Sequence, residues 1–219
     1  MNSKFSVKYI CCTAMFVVIA YLAVVAARGI PKVYGFLSYE PKDAVIVIAG
    51  FIFGPLTSVI VSVLTSLLEF LTVSSTGPYG LLMNVVSSCA FTVPAAWIYQ
   101  RRRTKQGALI GLGAGVLVMA ACMLLWNYII TPLYMGVTRE KVAAMLATVF
   151  LPFNLVKGGI NAGLALLLYK PVVTALRRSG LVEASKEGRK GGFSWGLLLL
   201  ALALLISFGL WFLVLIGVL

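Results

Sequence analysis

Long apolar runs separated by short polar breaks set the pattern of this chain, and their lengths are those of helices rather than strands. Read with their Gly, Pro and charged punctuation, they predict helices at about 7–27, 43–53, 56–73, 81–100, 107–130, 143–176 and 194–217. Several approach or exceed the ~20 apolar residues that cross a ~30 Å hydrocarbon core. The expected fold class is therefore an all-α integral membrane protein. The 194–217 run contains no ionisable residue and follows the polar, Gly-rich stretch LVEASKEGRKGGF at 181–193. This divides the chain into a transmembrane core at 1–180, a cytoplasmic linker at 181–193 and an additional transmembrane helix at 194–219, expected to serve as an anchor or packing helix.

The 43–53 run is short for a crossing, and Gly54-Pro55 allows either a tight turn between two helices or a kink in one helix of 43–73. Charge arbitrates. With the N-terminus inside, two helices place Arg101, Arg102, Arg103 and Lys105 on the cytoplasmic side together with Lys170, Arg177, Arg178, Lys186, Arg189 and Lys190. One kinked span would put the arginine cluster outside, against the positive-inside rule. Residue 219 then lies outside, and the connections 28–42, 74–80 and 131–142 share the outer side. Their charge is mixed, Glu40, Asp43 and Glu140 offsetting Arg28, Lys32, Lys42, Arg139 and Lys141.

Composition agrees: 61% of the 219 residues are hydrophobic and 11% charged, and the mean hydropathy is +1.04. The net charge of +12 would suggest nucleic acid in a soluble protein. Here it belongs to cytoplasmic loops on a lipid bilayer, and no nucleic-acid partner is expected. Cys11, Cys12, Cys89 and Cys122 lie in apolar runs without CxxC spacing, and the chain has no histidine, so no metal site is expected. No small-residue cleavage pattern follows the first run, which is expected to be retained as a helix. Without HExxH, paired intramembrane acids or a P-loop, no catalytic residues and no enzyme are expected, and ATP-driven work must come from partners.

Polar groups at membrane depth are costly and mark cavities, partners or interfaces. Asn84, Asn127, Asn154 and Lys157 converge on the outer half of three helices. Asn154, Lys157 and Asn161 follow i, i+3, i+7 spacing and share one helix face. Asn161, beside Gly158, Gly159, Ala162 and Gly163, suits interhelical hydrogen bonding. Lys157 has no acid near it in sequence, and its ammonium either snorkels or donates to a ligand rich in carbonyl and hydroxyl acceptors. Glu69 is either its internal counter-charge or reaches the interface alone. Tyr34, Phe36, Tyr39, Tyr79, Trp126, Tyr128 and Tyr134 gather at the same level, as an interfacial belt or as walls for a flat heteroaromatic ligand.

The stretches TGPYGLLMN at 76–84, WNYIITPLY at 126–134 and LPFNLVKG at 151–158 carry a resemblance. Over residues ~7–176 the chain resembles the riboflavin-binding S components of energy-coupling factor (ECF) importers, the RibU family. The resemblance implies a six-helix S-component bundle that takes its vitamin near the outer face and docks on a transmembrane subunit driven by two ATPases. It implies riboflavin as the transported ligand and no cofactor. By position it implies that Asn127, Asn154 and Lys157 are polar ligand contacts, Phe36, Leu37 and Tyr39 form the lid, and Asn84 with Gly80 form the floor or wall. An S component for flavin mononucleotide or another vitamin, or a stand-alone carrier or channel, are the alternatives. The chain departs from the family in two ways. Near the position of the family's Ala-xxx-Ala docking pattern the first helix reads CCTAMFVVIAYLAVVAA; Ala23 and Ala27 have the spacing but lie too far towards the outside, which leaves Cys12, Thr13, Ala14 and Ala20 as the expected docking face. The 194–217 helix has no counterpart in the six-helix core.

The topology is open to a direct check. A cysteine placed at Gln106, in a background lacking accessible native thiols, is expected to resist impermeant maleimide in intact cells and to react after the membrane is opened. Labelling in intact cells would overturn the arrangement.

Overall fold

The computed structural model describes residues 6–74, 76–182 and 195–219. Its helices are α1 (Val7–Ala26), α2 (Lys42–Phe53), α3 (Pro55–Thr72), α4 (Gly77–Arg102), α5 (Lys105–Met135), α6 (Arg139–Met145), α7 (Leu151–Arg178) and α8 (Trp195–Leu215). Among the described residues the one β-bridge joins Val33 to Leu37. Six helical segments are long and apolar enough to cross a membrane, α6 and α7 counting as one run of Arg139–Arg178. The greater part of the 181–193 linker lies outside the described residues.

Side chains at the breaks set the helix ends. Ser6 and Thr104 accept hydrogen bonds from the Tyr9 and Gly107 amides and so cap α1 and α5. At Gly54, φ of 105° turns the chain as no other residue could without strain, and Pro55 opens α3. Lys42 Nζ, at the start of α2, lies 2.6 Å from Glu69 Oε2 in the last turn of α3. The two helices are therefore an antiparallel pair rather than one kinked span.

The expected 143–176 helix begins differently. α6 passes into α7 through a π-helical turn at Leu146–Phe150. Pro152 explains it, since its ring has no N–H to donate and would clash with the carbonyl four residues earlier in a regular α-helix.

α2 lies at the centre, with Ala44, Ile46, Val47, Ile48, Ala49 and Phe51 all buried. Close approach around it depends on small residues, as expected where lipid supplies no hydrophobic drive. α3 turns Thr57, Ser58, Ser62, Thr65 and Ser66 inward. Gly111 and Gly115 bring α5 onto the α4 backbone, and a methyl group at Gly115 would overlap the Phe91 carbonyl oxygen. Large apolar side chains such as Leu71, Leu117, Leu125 and Ile206 are exposed, which places them against lipid. α8 packs antiparallel on α7, Phe208 over Gly159 and Leu205 over Gly163.

The ends of the bundle differ in charge. Lys8, Arg101, Arg102, Arg103, Lys105, Arg177 and Arg178 gather at one end. The opposite end holds the loop between α1 and α2, where Tyr34 and Gly35 turn through φ of 51° and 80° and paired Val33–Leu37 hydrogen bonds close a small hairpin.

The α4–α5 contact predicts a matched pair of outcomes. Gly115→Ala is expected to lower stability by about 1–3 kcal/mol through overpacking against backbone. Gly113→Ala, whose added methyl meets nothing within 4 Å, should not lower it. Thermal unfolding in detergent compares the two.

Candidate ligand-binding site

Twelve residues of helix rise about 18 Å, so α2 falls well short of a ~30 Å core. Its first turn therefore starts inside the bundle, and the preceding loop must descend to meet it. Lys42 and Asp43 are fully buried and Glu40 is 6% exposed. These are not the exposed loop charges expected from the sequence. Isolated charges at such depth would be costly, and each is paired. Glu40 Oε2 lies 3.2 Å from Lys42 Nζ and 3.0 Å from Lys157 Nζ. Lys157 is also 3.7 Å from Asp43 Oδ2, while Ser88 donates to the other Asp43 oxygen. Glu69 receives Lys42 on one oxygen and the Asn84 amide, at 3.0 Å, on the other. Burial alone would raise the Glu40 carboxyl, but the two ammonium groups outweigh it and hold the acid well below its usual range.

Lys157 thus has counter-charges, Glu40 and Asp43, which lie 117 and 114 positions away and are brought to it by the descending loop. Glu69, left open as its partner, pairs with Lys42 instead. Asn161 accepts from the Ala44 amide at 3.1 Å and donates to the Glu40 carbonyl at 3.1 Å. It is a strut between α7 and the loop, one turn below the cavity.

Above this knot lies a cavity of about 190 Å³. Asn127, Asn154, Lys157, Asn84, Phe36, Leu37, Tyr39 and Gly80, the eight residues singled out as substrate contacts, all line it. The Asn127 and Asn154 amides each donate to the carbonyl one turn earlier, Met123 and Phe150 at 2.7 Å, which fixes their orientation. Thr131 donates to the Asn127 oxygen. Met83, Met123, Phe153 and Tyr134 add apolar wall, and Arg28 and Lys32 line the side towards the loop. The Tyr39 hydroxyl is buried without a hydrogen-bond partner. Burial, and then the Asp43 carboxylate, push its phenol upward, so it stays a neutral donor.

The aromatic group divides. Phe36, Tyr39, Tyr79 and Tyr134 line the cavity, Tyr79 with an exposed edge, whereas Tyr34 and Tyr128 are exposed away from it in the manner of an interfacial belt and Trp126, its indole N–H buried, does not line it. Glu40, Lys42 and Asp43 were expected only as part of the mixed charge of the outer connections and not as site residues, although the shortness of the 43–53 helix was a signal that its first charges lie deep. The expected docking face needs correction. Cys12, Thr13 and Ala20 point into the bundle, and only Ala14 of the four is exposed, beside Ile10, Cys11, Val18 and Leu22.

The structure is thus a multi-pass helical bundle with a polar, aromatic-walled cavity near one end, beneath a loop that folds into it. The chain belongs to the family of ECF transporter substrate-specific components, whose model matches residues 8–169. It is 26% identical over 171 residues to the riboflavin transporter RibU of Staphylococcus aureus, a match covering 75% of this chain and 90% of that one. It is 24% identical over 161 residues to the riboflavin transporter FmnP of Bacillus subtilis, covering 69% and 85%. A solved chain described as the S component of a bacterial ECF transporter superposes with a TM-score of 0.67 at 27% identity, covering 78% of this chain and 98% of that one.

The buried knot should behave as a mutual dependency. Lys42→Met is expected to destabilise the protein by about 3–5 kcal/mol, because Glu69 and Glu40 lose their shared cation. Adding Glu69→Gln should recover much of the loss. Unfolding in detergent of the single and double variants measures this, and additive losses would show that the groups are not coupled.

Proposed function

We propose that this protein captures riboflavin from the outer side of the bacterial cell membrane and passes it inward as the substrate-binding subunit of an ATP-dependent ECF importer. The observation that carries this reading is the cavity itself. Asn127, Asn154 and Lys157 reach it from α5 and α7, Phe36, Leu37 and Tyr39 from the loop, and Gly80 and Asn84 from α4. A flavin asks for this combination: flat apolar walls for its ring and a few placed donors and acceptors for its carbonyls, ring nitrogens and ribityl hydroxyls. The names of the two sequence relatives support the same ligand.

Asn154 serves the ligand with its carbonyl and remaining N–H, the other N–H being held by Phe150. Lys157 spends one N–H on Glu40 and keeps two on an ammonium already neutralised by Glu40 and Asp43, so a neutral ligand can accept from it without carrying the counter-charge. A phosphorylated flavin is the second reading, favoured by Arg28 and Lys32 at the loop side of the cavity.

The basic end of the bundle faces the cytoplasm in this reading, with the N-terminus inside and the C-terminus outside. The ECF transmembrane subunit and its two ATPases supply the energy. If α1 meets that subunit, it does so through the exposed Cys11, Ala14, Val18 and Leu22 side.

Asn154→Leu is expected to weaken riboflavin binding about 2- to 12-fold, the worth of one neutral buried hydrogen bond, with little change in fold. Ala14→Trp is expected to leave binding intact while reducing uptake in cells carrying the partner subunits. Flavin fluorescence titration and riboflavin uptake measure the two. Unchanged affinity in Asn154→Leu would remove that residue from the site.

A further inference from the structure

The family match ends at residue 169, so α8 lies beyond it, yet α8 packs against Tyr39 of the cavity wall. Gly159 and Gly163 lie one turn apart on α7 and expose bare backbone to it. A methyl group at Gly159 would overlap the Phe208 ring, and one at Gly163 would come within 2.9 Å of Leu205. This close seat brings Phe212, one turn beyond Phe208, against Tyr39, with ring centroids 5.8 Å apart at 61°. Phe212 is 9% exposed, whereas Leu210 and Val214 on the same helix are 51% and 54% exposed to lipid. Phe212 and Tyr39 share one apolar cluster with Val33, Phe153 and Val156. Tyr39 also lines the cavity, and its hydroxyl is buried without a partner.

We propose that α8 is a built-in support for the ligand site, with Phe212 as a positioning residue that acts through Tyr39. This inference rests on the riboflavin reading. The Phe212 ring backs the Tyr39 ring from the lipid side and, with Val33 in the same cluster, holds the 33–39 hairpin in place. It thereby aims the Tyr39 hydroxyl at the ligand and opposes opening of the loop. An edge-on aromatic pair has this directional character, which aliphatic packing lacks. Without α8 the loop would meet lipid on this side, and fluid acyl chains offer no fixed surface to brace a side chain.

The test compares riboflavin dissociation from full-length wild type, Phe212→Ala, Phe212→Leu and the lipid-facing control Leu210→Ala. Phe212→Ala is expected to dissociate about 2- to 12-fold faster, with Phe212→Leu between it and wild type, Leu210→Ala unchanged and association rates alike. In a Tyr39→Leu background the Phe212→Ala effect should largely vanish, because the two residues act as one unit. Hydrogen exchange across residues 33–39, measured without ligand, should rise in Phe212→Ala. Unchanged dissociation and exchange in a folded Phe212→Ala variant would overturn the proposal, as would an equal effect in the Tyr39→Leu background. If wild type fails to bind riboflavin, the functional reading falls, and the exchange of residues 33–39 then decides alone whether Phe212 holds the loop.

Discussion

One carboxylate, Glu40, holds this structure in its working shape. It is shared by Lys42 and Lys157, and through them by Glu69 and Asp43, so five buried charges from the loop, α2, α3 and α7 depend on one another. Charges at membrane depth are tolerated only when paired, so no member of the knot can move alone without exposing another to a low-dielectric surrounding. Asn161 pins the Glu40 backbone to α7 as well. The loop over the cavity is thus anchored at its inner end by electrostatics, while its outer part rests on apolar contacts.

That division suits a binding protein whose ligand must enter and leave. The inner end sets where the floor of the cavity lies, and the side chains above it are held by local bonds: Asn127 and Asn154 to their own helix, Asn84 to Glu69. The outer hairpin, closed on itself by two backbone hydrogen bonds between Val33 and Leu37, carries none of the charges of the knot. Phe36 against Phe150 and Tyr39 against Phe212 are the aromatic contacts that moving it would break. The π-helical turn carrying Phe150 places it where it can take part.

The fold was largely legible because lipid imposes a simple rule on the backbone: apolar runs of spanning length must be helices. Gly54-Pro55 and the arginine cluster together resolved the antiparallel α2–α3 pair. The i, i+3, i+7 spacing put Asn154, Lys157 and Asn161 on one face, and Asn161 is the interhelical strut its small neighbours suggested. Long-range partners were not legible. Nothing local ties Glu40 to Lys157, and a pairing across more than a hundred residues is fixed only when the loop folds inward. The rotation of α1 was hidden too, because CCTAMFVVIAYLAVVAA is apolar on every side and carries no stripe to tell bundle from lipid. For the same reason α8 read only as an anchor or packing helix with no stated partner, while its contact with Tyr39 depends on two glycines of another helix.

The most direct measurement is of what the protein itself retains. Riboflavin is the proposed occupant of the cavity above the Glu40 knot. Full-length protein purified gently from cells supplied with the vitamin should be yellow, and acid extraction should release riboflavin in close to equimolar amount, identified by mass spectrometry. Colourless protein that also leaves the fluorescence of added riboflavin unquenched would contradict the account.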